Sequence, residues 1–92
     1  MALTIKERRG TFYIQGNINT STASSFRTHF EHILNTYGNL TLDIDNVAEI
    51  DADGMIALRA LYINAFIRKQ DFSIVGYGCK EIYDDFRYFD AA

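Results

Sequence analysis

One stretch constrains the fold more than any other: Leu40 to Gly54, LTLDIDNVAEIDADG, which continues without a break into MIALRALYINAFIRKQ. Leu40, Leu42 and Ile44 alternate with Thr41, Asp43 and Asp45, the period-two pattern of a strand with one apolar face. A loop and then a long helix are expected to follow. Asp53 stands where that helix should begin, as an N-cap whose carboxylate accepts a first-turn N–H and faces the positive end of the helix dipole. Such a cap contributes about 0.5–2 kcal/mol. Gly54 is expected to let the backbone leave the loop with little steric resistance.

The segments around this junction alternate between the two periods. Leu3 to Glu7 and Thr11 to Gln15 read as short strands joined by a hairpin through Arg8, Arg9 and Gly10. In the second strand Phe12 and Ile14 share one face, with Thr11, Tyr13 and Gln15 on the other. The run GNINTSTASSF suits a loop ending in a helix cap at Asn19, Thr20 or Ser21. Phe26, Phe30, Ile33, Leu34 and Tyr37 then form one helical stripe that stops at Gly38. After the central strand and helix, Phe72 to Tyr77 gives a fourth strand. Ile82, Phe86 and Phe89 are spaced as a short third helix.

The order is therefore β-β-α-β-α-β-α in one domain, since 92 residues leave little room for a second core. Strands separated by helices imply parallel crossovers, so the expected fold is α/β with a mixed four-stranded sheet and one antiparallel hairpin strand. The clean alternation of strands two and three puts the three helices mainly on one face.

Composition narrows the function classes. A net charge of −3 and an isoelectric point near 5.2 argue against nucleic acid, because phosphate binding needs clustered Lys and Arg. Lys6, Arg8 and Arg9 are too few to change that. The single cysteine, Cys79, cannot form an internal disulfide, and MALTIKERRG lacks the apolar run of a signal peptide, so a reducing cytoplasm is the expected location. The helix at Met55 to Ile67 is interrupted by Arg59 and Asn64, and no stretch approaches the roughly 20 apolar residues that span a bilayer, so no direct membrane insertion is expected.

Most of the chemistry-bearing residues have plainer roles. The Ser/Thr cluster before the first helix is explained by capping and turn formation without phosphorylation. His29 and His32, three apart with no third ligand nearby, read as surface residues rather than a metal pair. Glu49, Asp51, Asp53, Gly54 and Ile56 match positions 1, 3, 5, 6 and 8 of a calcium loop, but Ala60 stands where the bidentate Glu belongs. Asp43, Asp45, Asp51 and Asp53 gather near the carboxyl end of a strand, where Mg²⁺-dependent phosphoryl transfer or an aspartyl phosphate is conceivable. That reading lacks a Gly-rich phosphate loop and a catalytic Lys or His partner. No metal, cofactor or catalytic residue is therefore expected, and the chain reads as a non-enzyme.

The strand LTLDIDNV, the loop ending IDADGM, the helix MIALRALYINAF, the strand FSIVGY and the helix CKEIYDDFRYF together resemble a STAS domain. This module is shared by bacterial anti-sigma factor antagonists and the cytoplasmic tails of sulfate transporters. With the two upstream strands and the Thr/Ser-rich start of the first helix, the likeness covers nearly the whole chain. It implies a protein-binding regulator whose contact surface is Asp51, Ala52, Asp53, Gly54, Met55 and Ile56.

The sequence departs from the family in two ways. Antagonists typically read Asp-Ser-Ser-Gly here, and a partner kinase that is also the anti-sigma factor phosphorylates the second Ser. Here Asp53 occupies that position and supplies a permanent charge near −1, against about −1.5 to −2 for phosphoserine. The resemblance thus implies a protein fixed near its relatives' phosphorylated state, which does not bind the anti-sigma factor tightly. In addition the chain stops at Asp90, Ala91 and Ala92, before the family's last strand and helix. An uncovered edge favours pairing with another chain or a homo-oligomer.

STAS modules also sit beside the ATPase of lipid-export or lipid-uptake systems, so an accessory subunit of an ABC-type transporter is the alternative. On the central helix, Met55, Leu58, Leu61, Tyr62 and Ala65 can pack on the sheet, while Ile56, Ala60, Ile63 and Ile67 form a second apolar stripe. Flanking of this middle helix by both neighbouring helices is the favoured explanation, and an exposed docking patch the other.

Overall fold

The first two strands are joined by a two-residue turn, in a computed structural model that describes residues 3–82 and 84. Arg9 (φ 54°) and Gly10 (φ 85°) both take positive φ, the requirement of a two-residue hairpin turn whose twist matches its strands. The Gly10 N–H donates to Glu7 Oε2 at 2.7 Å, closing the turn. This pairs β1 (Thr4–Arg8) antiparallel to β2 (Thr11–Ile18).

Helix α1 (Ala23–Tyr37) buries Phe26, Phe30, Ile33 and Leu34, as their spacing predicts. Tyr37, assigned to the same stripe, is 70 % exposed. It lies in the last turn, beside Gly38, whose left-handed backbone and N–H bond to the Leu34 carbonyl end the helix. The strand β3 (Asn39–Ile50) then pairs parallel to β2, helix α2 (Ala52–Ile67) follows, and β4 (Asp71–Val75) pairs parallel to β3. The sheet order is β1-β2-β3-β4. A third helix, α3, includes residues 80–82 and 84; Phe86 and Phe89, expected on it, lie outside the described residues.

The fourth strand, expected to reach Tyr77, ends at Val75, where Gly76 takes a positive φ of 94°. Two other boundaries extend well past expectation for one physical reason. The second strand was expected to end at Gln15 and the third to give way to a loop after Asp45. Instead both run on side by side to Ile18 and Ile50. The register slips between Tyr13/Gln15 and between Gly16/Asn17, where β3 carries extra residues. These are bulges, and they break the period-two pattern: Ile44 and Val47 both face the core although three residues apart. At the first bulge the Asp45 N–H bonds to Asp43 Oδ1 at 2.9 Å.

One face of the sheet is packed. Ile14 and Ile18 of β2 and Leu40, Leu42, Ile44 and Val47 of β3 are each no more than 2 % exposed. The buried faces of α1 and α2 lie on them, joined by Cys79 and Ile82. Full burial of such a side chain contributes about 1.5–3 kcal/mol. Edge-on aromatic contacts, Phe26 to Phe30 at 5.0 Å and Phe12 to Phe30 at 5.3 Å between ring centroids, fill the α1 side. Thr11, Tyr13, Gln15, Thr41 and Asp43 occupy the opposite, polar face, as their alternation requires. No helix among the described residues is long and apolar enough to cross a membrane.

The second stripe of α2 is not sandwiched between neighbouring helices as expected. Ile56, Ile63 and Ile67 are 58, 47 and 69 % exposed, and Phe66 beside them 75 %. The helix buries instead Gly54, Ala57, Leu58, Leu61 and Ala65, on the side facing the sheet and α1.

Candidate functional site at the β3–α2 junction

The junction forms at the carboxyl ends of β2 and β3, where the Asp51 N–H donates to the Ile18 carbonyl at 3.1 Å as the last rung between the strands. Asp51, not Asp53, is the N-cap of α2. Its backbone is extended (φ −101°), and its Oδ1 accepts the Gly54 N–H at 2.9 Å. Asp53 lies in the first turn, its carboxylate exposed beside the positive end of the helix. The sequence offered two Asp residues two apart. The extended backbone at Asp51 decides which one caps.

A side chain from outside the junction completes it. Thr20, in the β2–α1 loop, donates its N–H to Asp51 Oδ2 at 3.0 Å. Its Oγ1 lies 2.7 Å from Asp53 Oδ2 and 3.2 Å from Asp51 Oδ2. One hydroxyl carries one proton, so the two carboxylates compete for it, and the shorter distance favours Asp53. The Gly54 N–H outweighs the opposing effect of burial and, with smaller help from the Thr20 N–H and hydroxyl, holds the Asp51 carboxyl below its ordinary pKa.

Nothing in the sequence marks Thr20 as a site residue, since capping and turn formation account for a Ser/Thr run of this kind. The cap expected at Asn19, Thr20 or Ser21 falls instead on Thr22, which makes no side-chain cap bond. Asn19 closes the turn before it, its carbonyl accepting the N–H groups of Thr22 and Ala23 at 3.0 and 2.7 Å and its Oδ1 the Ser21 N–H at 2.9 Å. Thr22 Oγ1 in turn bonds to the Asn17 carbonyl. Thr20, between these residues, faces the other loop.

Gly54 has a different role from the one its position suggested. It is helical and buried, and a Cβ built on it would lie 2.2 Å from the Ile18 carbonyl oxygen and 2.8 Å from Ile50 Cγ1. Glycine is needed here so that the start of α2 can press against the end of β2, not to release the chain from a loop.

The expected contact residues thus divide. Asp51 and Gly54 hold the junction together, Met55 is half-buried against the core, and Ala52, Asp53 and Ile56 are exposed. Asp43 and Asp45 do not join them. Asp45 Oδ1 accepts the Tyr77 N–H at 2.8 Å and ties β3 to the chain after β4, while Asp43 serves the bulge. Among the described residues no three His, Cys, Asp or Glu side chains come together as a metal-binding group. His29 stands edge-on to Phe12 and Phe30, with centroids 6.4 and 4.9 Å away.

The fold has well-defined relatives. SpoIIAA in its phosphorylated form, a cell fate determinant of Bacillus, superposes with a TM-score of 0.72 at 11 % identity, over 95 % of this chain and 82 % of that one. Unphosphorylated SpoIIAA, described as an anti-sigma factor antagonist, gives 0.62 at 10 % identity over 79 and 71 % of the two chains. An anti-sigma factor antagonist from Mycobacterium paratuberculosis gives 0.63 at 18 % identity over 82 and 66 %. No curated protein sequence is significantly similar to the chain. The sequence model of the STAS domain matches residues 1–78, and with that match the chain belongs to the STAS domain family.

Proposed function

We propose that this protein is a non-catalytic, protein-binding regulator resembling an anti-sigma factor antagonist, with Asp53 in the position of the phosphorylatable serine. The observation that carries the reading is the Asp53 carboxylate itself. It is exposed in the first turn of α2, 2.7 Å from the Thr20 hydroxyl, at the strand-to-helix junction of a STAS fold. A permanent charge there acts on a partner through the same helix end as a phosphate would, with about half its charge. The exposed Ala52 and Ile56 beside it supply apolar contact. The expected partner is an anti-sigma factor of the serine-kinase type.

Asp53→Ser tests this reading. With a cognate kinase the variant should become phosphorylated on that serine and, before phosphorylation, bind the kinase at least about tenfold more tightly than wild type, roughly the effect of removing one unfavourable interfacial charge. An unchanged affinity together with no phosphorylation would refute the assignment. Specific association of purified wild-type protein with an ABC-type ATPase, lost in Ile56→Asp, would assign the same surface to the accessory subunit of a transporter instead.

A further inference from the structure

The outer face of α2 carries apolar side chains that the fold does not use. Ile56, Ile63, Phe66 and Ile67 are 47 to 75 % exposed. At about 100° per residue they fall on the side of the helix opposite Gly54, Ala57, Leu58, Leu61 and Ala65, which are buried. Ala60 lies between them. The pairs 56/63 and 60/67 are seven residues apart, the repeat that keeps a seam facing one straight partner helix. Sixteen residues make a helix about 24 Å long, enough for two such repeats. After Asp53 in the first turn, Arg59, also exposed, is the one charged residue of the helix on this side.

Charge selects the occupant. Asp53 stands in the first turn of α2 and Lys69 just past its end, both exposed, whereas Asp51 bonds to Gly54 and Thr20 and Arg68 to Asn35 of α1. A second α2 laid antiparallel sets the acidic start of each helix against the basic end of the other, and aligns the two helix dipoles favourably. The register that places Asp53 opposite Lys69 brings Ile56 against Phe66 and Ile67, and sets Ile63 against Arg59 and the small Ala60. A parallel pair would instead stack Asp53 on Asp53 and Lys69 on Lys69. The surface is complementary to itself, as a two-fold interface requires.

We propose that the outer face of α2 is a homodimer interface, in which two copies of this chain pair α2 antiparallel across a two-fold axis level with Leu61. The exposed face of α2 supports this independently of the docking role given to Asp53. It has a consequence for that role: Ile56 and Asp53 belong to both surfaces, so a copy paired through α2 cannot dock a partner at the β3–α2 junction.

Sedimentation equilibrium of the full chain without any partner tests the proposal. Wild type should show a concentration-dependent monomer–dimer equilibrium. Ile63→Glu and Ile67→Lys, both at exposed positions and each shown to be folded by circular dichroism, should each weaken it at least about tenfold, since every substitution acts twice across the axis. In a mixture of Ile56→Cys and Ile67→Cys chains, mild oxidation should join position 56 of one copy to position 67 of the other, Cys79 being buried. A monomer at every concentration, a dimer unaffected by both charged variants, or cross-linking of 56 to 56 in preference to 56 to 67 would each overturn the proposal.

Discussion

The Thr20 hydroxyl lies 2.7 Å from Asp53 Oδ2, which links two loops that are 33 residues apart in the chain. The same residue holds Asp51 through its N–H at 3.0 Å, so only part of the link depends on the side chain. Thr20→Val removes the hydroxyl and keeps the shape. A neutral hydrogen bond contributes about 0.5–1.5 kcal/mol, and the exposure of this one places it at the lower end. Urea unfolding should therefore show a small loss with an unchanged slope, while Thr20→Ser stays close to wild type. A loss above about 2 kcal/mol would mean that the hydroxyl supports more than this contact.

Gly54→Ala sets two effects against each other. Alanine is favoured over glycine within a helix by about 1 kcal/mol. Against that, the new Cβ would lie 2.2 Å from the Ile18 carbonyl oxygen, an atom of the last strand rung that no side-chain rotation can move. Overpacking of this kind costs about 1–3 kcal/mol, and contact with backbone belongs at the upper end. The steric term wins, and the midpoint of urea unfolding should fall. An unchanged or higher midpoint would show that α2 can shift away from β2.

What could be read from the sequence follows from which interactions are local. The α1 stripe, the Arg9–Gly10 turn and the alternation of β2 and the first half of β3 depend on near neighbours and were visible as spacing. The bulges of β3 were not, because the extra residues make Ile44 and Val47 face the same way and imitate the end of a strand. The choice between Asp51 and Asp53 as cap turns on one backbone angle. The role of Gly54 depends on Ile18, 36 positions earlier, and that of Thr20 on a loop its own segment does not announce. The second apolar face of α2 was visible, but whether anything covered it was a question of packing.

The low pKa of Asp51 makes acid stability testable. Its folded pKa lies below the ordinary 3.8, chiefly because the carboxylate accepts the Gly54 N–H. A group depressed in the folded state adds stability that is present above its unfolded pKa and lost as pH falls through the folded value. Wild type should therefore lose this contribution as pH drops below about 4. Asp51→Asn should be less stable than wild type at neutral pH and converge with it in acid. Glu81, held low by its own backbone N–H and the Cys79 thiol, acts in the same direction and should leave a residual slope in the variant. Parallel stability curves for the two proteins between pH 2 and about 5 would contradict the cap assignment.

Gly76 and Asp45 form a second tie, at the end of β4. Gly76 has φ 94°, which side chains other than hydrogen rarely tolerate, and a Cβ there would stand 2.7 Å from Asp45 Oδ1. That oxygen accepts the Tyr77 N–H at 2.8 Å and so guides the chain from β4 toward the buried Cys79 and Ile82. Asp45→Ala removes the acceptor at an exposed site and should cost about 1 kcal/mol. Gly76→Ala adds backbone strain of about 1–2 kcal/mol to the collision with Asp45 and should cost more. The two losses are expected to be less than additive in the double variant, because removing the Asp45 carboxylate relieves the collision. Full additivity in a urea double-mutant cycle would show that the two residues act separately.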